Sequence, residues 1–149
     1  MVQGRVRQAV ADGAKVLAGG EAVGPCFQAT ILTDVAPGSE FARHETFGPV
    51  ASIEIVDSAD EAVARANATT YGLSAGIITG DRERGFSLAQ RIDSGIVHIN
   101  DQTVADEPQM PFGGVKDSGF GRFGGQAVVD EFTELRWVTM RREGHPFPF

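Results

Sequence analysis

Cys26 is the one residue of this chain whose side chain alone could act as a strong nucleophile, and it is the single cysteine. An activated thiolate needs a base or a positive field beside it. No His, Lys or Arg lies near Cys26 in the sequence. We therefore interpret it as a small, semi-buried apolar residue, with no catalytic role.

A second chemical pattern covers residues 119–124, which read as the G-x-G-x-x-G of dinucleotide-binding turns. In that pattern the glycines directly follow an apolar strand, so that the next helix meets the pyrophosphate. Here Val115, Lys116, Asp117 and Ser118 precede them. We interpret these glycines as structural, permitting left-handed turns and close packing. Lys116 and Arg122 are likewise interpreted as solvated or loop-anchoring groups, because Asp117 weakens any anion site between them.

Two motifs place a charged or aromatic residue beside glycine: residues 45–49, Glu-Thr-Phe-Gly-Pro, and residues 111–119, Pro-Phe-Gly-Gly-Val-Lys-Asp-Ser-Gly. Together with residues 66–75 and 95–100, they resemble in content and order the C-terminal part of the NAD(P)-dependent aldehyde dehydrogenases. The resemblance runs from about residue 20 to residue 140. Residues 97–101 and the aromatic tail are similar to aryl-aldehyde members, such as benzaldehyde or vanillin dehydrogenases.

This resemblance implies roles for three residues. In the family, a cysteine thiolate attacks the aldehyde, a hydride passes to NAD or NADP, and water activated by a carboxylate releases the acid. Glu45 would accept hydrogen bonds from the ribose hydroxyls next to the nicotinamide, and Phe47 would pack beside them. An ionised carboxylate suits two vicinal hydroxyls because it only accepts. Phe112 would wall the aldehyde channel, with residues 101–110 shaping its mouth, although a plain core role fits Phe112 equally well.

The family's nucleophile and its Rossmann-type cofactor domain lie N-terminal to the segment that this chain resembles. No catalytic residue is therefore assigned, and two interpretations stay open. In the first interpretation, the chain is a C-terminal fragment of an oxidoreductase that converts an aromatic aldehyde to its acid, and it is inactive without an N-terminal half. The alternative is a non-catalytic binding or assembly module that retains this half of the fold.

The elements that position these residues follow from hydrophobic spacing. Val2, Val6 and Val10 recur at helical spacing and predict an opening helix that ends near Gly13. Strands are predicted at 29–33, 51–56, 74–79 and 95–100, with helices after Ser58 and Asp81. Strands and helices that alternate over short connections predict an α/β fold of βαβαβ type, with a mostly parallel sheet covered by helices. Residues 1–149 would form one partial catalytic domain.

The C-terminal third is more irregular. Residues 101–125 are predicted to form a packed loop around Met110, Phe112, Phe120 and Phe123. A short helix at 126–132 and a strand at 135–140 would follow. Because that strand is apolar on both faces, residues 134–149 are interpreted as an oligomerisation strand and tail, in a homo-oligomer. Residues 141–149 are expected to be extended or mobile.

Composition bounds the remaining functions. A chain of 149 residues with 42% hydrophobic content is expected to have a single core that buries roughly 70% of its unfolded surface. The net charge of -7 argues against a nucleic-acid partner. No apolar run suggests a signal peptide or a membrane span, so we expect a cytoplasmic protein. His44, His98 and His145 lack metal-ligand spacing, so no metal is expected, and His98 is interpreted as a buried, hydrogen-bonded strand residue.

Overall fold

A computed structural model describes residues 1–144. The predictions for His145 and for the rest of the tail up to residue 149 lie outside the described residues. The chain is of mixed α/β class, as predicted. Its elements in chain order are α1 (Val2–Ala11), β1 (Lys15–Ala18), β2 (Ala22–Val23), β3 (Cys26–Phe27), β4 (Thr30–Thr33), α2 (Glu40–Arg43), β5 (Val50–Ile53), α3 (Ala59–Asn67), β6 (Ser74–Ile77), α4 (Arg82–Ala89), β7 (Ile96–Ile99), a 3-10 turn (Lys116–Ser118) and α5 (Gly125–Phe132).

Helix α1 forms where the apolar spacing predicts it and packs on the first sheet. Val6 and Ala9 are buried on its inner face, and they cluster with Ala14 and with Leu32 of β4, which is fully buried. Val10, also expected on that face, is 43% exposed. The core therefore sits between α1 and β4.

The first sheet has the strand order β1-β4-β5. Strand β4 is central, antiparallel to β1 and parallel to β5, with Thr30 opposite Val50. A parallel pair fits the mostly parallel sheet predicted from the sequence, but the pairing of β4 with β5, strand β1 and the small hairpin β2-β3 were not predicted.

Helices α3 and α4 begin at the predicted caps. The Ser58 hydroxyl accepts a hydrogen bond from the Glu61 amide at 3.1 Å, and the Glu61 carboxylate accepts one from the Asp57 amide at 3.1 Å. Asp81 caps α4 by accepting from the Arg84 amide. Such caps satisfy backbone donors that the helix itself leaves free.

The parallel strand pairs and helices of the predicted α/β fold are present, but within the described residues the strands lie in separate sheets. Strands β6 and β7 pair in parallel, with Ser74 opposite Ile96, but they form a separate two-stranded sheet. A strand-helix-strand order sets strand direction and does not require that consecutive strands be neighbours. The apolar faces of α3 and α4 were also expected to be covered, but they are largely exposed. Phe86 of α4 is 61% exposed, and Val63 is the one buried residue of α3.

The C-terminal third departs further from expectation. Helix α5 is present, but the predicted strand at 135–140 is not formed, because no edge within residues 1–144 pairs with it. The aromatic side chains of the 101–125 loop are not packed as expected, since Phe120 is 96% and Phe123 56% exposed. The glycines of that loop do adopt left-handed conformations, with φ of 110° at Gly119 and 78° at Gly121.

The accessible surface shows how open the chain is. It amounts to 11363 Å², whereas a compact monomer of this mass exposes about 7,300 Å². The expectation that a single core buries roughly 70% of the unfolded surface is therefore wrong, and the buried fraction is about one half. No helix within residues 1–144 has the length and apolar character needed to cross a membrane.

Candidate functional site

Glu45 and Phe47 lie on the loop that joins α2 to β5, and both side chains point away from the core. Phe47 is 79% exposed, and Glu45 is also exposed. Within residues 1–144 the Glu45 carboxylate makes no hydrogen bond or ion pair, so both of its oxygens are free to accept. The loop sits at the N-terminal edge of the parallel pair, because the Thr30 amide donates to the carbonyl of Pro49 at 2.8 Å.

This exposed loop has an anchored backbone. Nη1 of Arg5, on α1, donates to the carbonyls of His44 and Glu45 at 3.2 and 2.5 Å, and lies 3.3 Å from the Thr46 hydroxyl. Sequence reasoning missed Arg5, and no local pattern signals it, because it lies 40 residues before Glu45.

Phe112 lies on the second motif, where it forms an isolated antiparallel bridge with Phe123. Its amide donates to the Phe123 carbonyl at 2.7 Å, and the reciprocal bond measures 2.8 Å. Phe112 is 39% exposed. It is therefore not a core residue, although its backbone is held by Phe123.

Two cations hold the Phe112 loop in place, as predicted. Nη1 of Arg122 donates to the carbonyls of Gly114 and Gly121 at 2.8 and 2.7 Å. Nζ of Lys116 donates to the carbonyls of Asn67 and Thr69 at 2.9 and 3.2 Å. These bonds fix the loop to its own turn and to the connection that precedes β6.

The structure does not join these residues into one enclosed site. Within residues 1–144, no hydrogen bond or ring contact links Phe112 to Glu45 or Phe47. A cleft of about 450 Å³ lies at the C-terminal end of β7, as the rule for parallel strands expects. Asp101, from the predicted channel mouth, lines this cleft together with Arg82, Phe86, Ile99 and Asn100, and Phe112 does not.

Three other reactive side chains lie outside the two motifs. Cys26 is exposed, so the expectation that it is semi-buried is wrong. Its neighbour Phe27 packs against the core, and successive strand residues point to opposite faces. His98 was expected to be hydrogen-bonded, but its buried Nε2 has no partner within residues 1–144. The pKa of Lys15 is raised by a hydrogen bond from its ammonium to Asp34, at 2.9 Å, and by the charge of that carboxylate. That pair belongs to the sheet and not to either motif.

Residues 1–144 hold no group of three His, Cys, Asp or Glu side chains that could coordinate an ion.

Comparison with known proteins defines the class. The sequence pattern described as "Aldehyde dehydrogenase family" matches residues 1–138. A vanillin dehydrogenase from Amycolatopsis sp. is 50% identical over 99% of this chain and 31% of its own length. A benzaldehyde dehydrogenase [NAD(+)] from Pseudomonas putida is 45% identical over the same shares of the two chains.

A solved structure agrees with these relatives. The crystal structure of a salicylaldehyde dehydrogenase from Pseudomonas putida G7, complexed with salicylaldehyde, superposes with a TM-score of 0.88. It is 42% identical, over 99% of this chain and 31% of that one.

The chain belongs to the aldehyde dehydrogenase family. It spans about 31% of the length of the relatives named above. The names of these three relatives refer to the aromatic aldehydes vanillin, benzaldehyde and salicylaldehyde.

Proposed function

We propose that this chain supplies the nicotinamide-ribose clamp and part of the substrate wall of an NAD(P)-dependent dehydrogenase that oxidises aromatic aldehydes to carboxylic acids. The observation that carries the proposal is the pairing of a free carboxylate, Glu45, with an exposed aromatic ring, Phe47, on one anchored loop. The substrate class is supported by relatives named for vanillin, benzaldehyde and salicylaldehyde.

The residues present suit the proposed cofactor. Glu45 offers two acceptor oxygens with no competing partner in the described chain, which matches two vicinal ribose hydroxyls. Leaving a ring such as Phe47 in water forgoes about 1.5–3 kcal/mol that burial would provide, so a planar ligand covering it is favoured. When bound, the nicotinamide is the group that accepts the hydride.

The task of this chain is therefore orientation. Hydride transfer requires the donor and acceptor carbons to be held near contact distance, and a displacement of about 1 Å costs up to roughly a hundredfold in rate. Glu45 would fix the ribose, Phe47 would limit the tilt of the ring, and Phe112 would confine the aldehyde. The choice between NAD and NADP is set by adenosine-ribose contacts that Glu45 and Phe47 do not make.

The proposal extends to assembly. The chain exposes far more surface than a compact monomer, and Leu135, Trp137 and Met140 are 105%, 91% and 93% exposed. Apolar area of this extent favours association. We propose that residues 134–149 form an oligomerisation strand and tail in a homo-oligomer, that an N-terminal half covers the remaining faces, and that the assembly is cytoplasmic.

Glu45→Gln tests the clamp. The matched segment of the P. putida salicylaldehyde dehydrogenase is replaced by this chain, and NADH formation with salicylaldehyde is followed in the active chimera. We expect kcat to fall by about tenfold to a hundredfold, with a smaller change in the Kd of NAD, because most cofactor contacts lie elsewhere.

Glu21→Gln is the matched control, because Glu21 is exposed and its side chain makes no hydrogen bond within residues 1–144. It should leave both constants unchanged. A Glu45→Gln chimera with parental kcat would overturn the proposed role.

A further inference from the structure

Arg5 contacts the loop at the point where the loop has least support of its own. Within residues 1–144, Glu45, Thr46 and Phe47 take part in no backbone-backbone hydrogen bond. On either side the backbone is held, by the amide of His44 donating to Glu40 and by the amide of Val50 donating to Gly48. The guanidinium of Arg5 bridges this gap with charge-assisted bonds, which are stronger than neutral ones.

A second contact from the same helix closes on the loop from its other end. A β-carbon added to Gly48 would lie only 2.5 Å from Cγ2 of Val2. The start of α1 therefore packs directly on the backbone of the motif. Because Val6 and Ala9 of α1 are buried against Leu32, the helix is a rigid support.

We propose that Arg5 is a positioning residue, which holds the backbone of residues 44–46 so that Glu45 and Phe47 present one fixed geometry to their ligand. The anchoring stands on the contacts of α1 alone, while its consequence for turnover rests on the proposed function. Without Arg5, residues 44–46 lose their hydrogen bonds to α1, and this part of the loop samples many conformations. The proposal assigns Arg5 no contact with the cofactor.

The anchoring is tested on the chain itself by trypsin, which cuts after Arg43 at the edge of the loop. Arg5→Met removes the donors, Arg5→Lys keeps a charged donor, and Arg7→Met is the matched control. Arg7 is exposed on the same helix, and its side chain makes no hydrogen bond within residues 1–144. Its replacement by Met removes the same charge as Arg5→Met does. Cleavage after Arg65, in α3, reports general unfolding.

We expect Arg5→Met to accelerate cleavage after Arg43 by about tenfold, the effect of losing a charged hydrogen bond. Cleavage after Arg65 should change little, Arg5→Lys should recover much of the protection, and Arg7→Met should match the parent. Equal acceleration at both sites would mean a general stability role and would overturn the proposal. So would unchanged cleavage after Arg43.

The consequence for turnover is measured in the active salicylaldehyde dehydrogenase chimera. Arg5→Met should lower kcat by about tenfold with little change in the KM of the aldehyde, and Arg5→Lys should restore most of it. If Glu45→Gln lowers turnover and Arg5→Met does not, the positioning role fails and the proposed function stands. If Glu45→Gln is silent while Arg5→Met still loosens the loop, the proposed function fails and the anchoring stands.

Discussion

Gly95→Ala should destabilise the chain, because the Phe112 loop lies directly on the backbone at the start of β7. A β-carbon at Gly95 would collide with the carbonyl oxygen of Gly113 and would lie 2.9 Å from Cα of Gly114. These are backbone atoms, so no side-chain rotation relieves the contact. Either β7 or the motif has to move.

The magnitude follows from what holds the two segments together. The carbonyl of Gly72 accepts from the amides of both Gly95 and Val115, at 3.0 and 2.9 Å. The hydroxyl of Ser118 accepts from the Gly72 amide at 2.9 Å. Moving the loop away disrupts one or two such bonds at about 1 kcal/mol each, and forced overpacking typically costs about 1–3 kcal/mol. We therefore expect a loss of about 2 kcal/mol in the free energy of unfolding.

Urea denaturation followed by circular dichroism measures this loss. The midpoint should fall while the slope stays constant, because the surface exposed on unfolding does not change. For a chain of this size, about 2 kcal/mol corresponds to a Tm lower by about 4–8 °C. Gly80→Ala is the control, since a β-carbon there has open space and should shift stability by less than about 0.5 kcal/mol. The same small shift for Gly95→Ala would refute the reasoning.

Three further predictions concern the helix cap, the isolated chain and its assembly. Ser58→Ala should lower the free energy of unfolding by about 1 kcal/mol in the same urea assay, because it removes the bond to the Glu61 amide; an unchanged midpoint would contradict the capping role. The purified chain should neither form NADH from benzaldehyde nor bind NAD tightly by calorimetry, and turnover abolished by Cys26→Ser would show that this cysteine is catalytic after all. The chain should be a dimer or larger by light scattering, and deletion of 134–149 should change that state, whereas a monodisperse monomer of 15.8 kDa would exclude the assembly surface.

The features that could be predicted from the sequence are those decided within a few residues. Ser58 and Asp81 cap their helices through amides three residues later, so the pattern contains its own partner. The roles of Glu45 and Phe47 were inferred in the same way, from a short motif, and they stay predictions. The strand predicted at 135–140 could not be decided locally, because a strand depends on pairing with another segment, and within residues 1–144 no strand pairs with it.

Pairing between distant segments accounts for the remaining errors. Alternating strands and helices predicted the parallel direction of β6 and β7, but not their separation from the sheet that contains β5. Side-chain burial also depended on distant cover, which explains why Phe120 and Phe86 are exposed despite sequences typical of packed elements. Arg5 escaped notice for the same reason, since its acceptors are 39 to 41 residues away.

Three basic side chains of this fold bind main-chain carbonyls, so their presence in the sequence does not indicate an anion site. Arg5 and Arg122 donate to main-chain carbonyls of the loops that carry Glu45 and Phe112. Lys116 donates from the Phe112 loop to main-chain carbonyls before β6. A guanidinium or ammonium already committed to carbonyls has fewer donors left for a phosphate. The loops gain fixed backbones, and their functional side chains stay free because the anchoring bonds go to the main chain. A carboxylate and an aromatic ring held in this way fit the proposed role of orienting a bound ribose and nicotinamide.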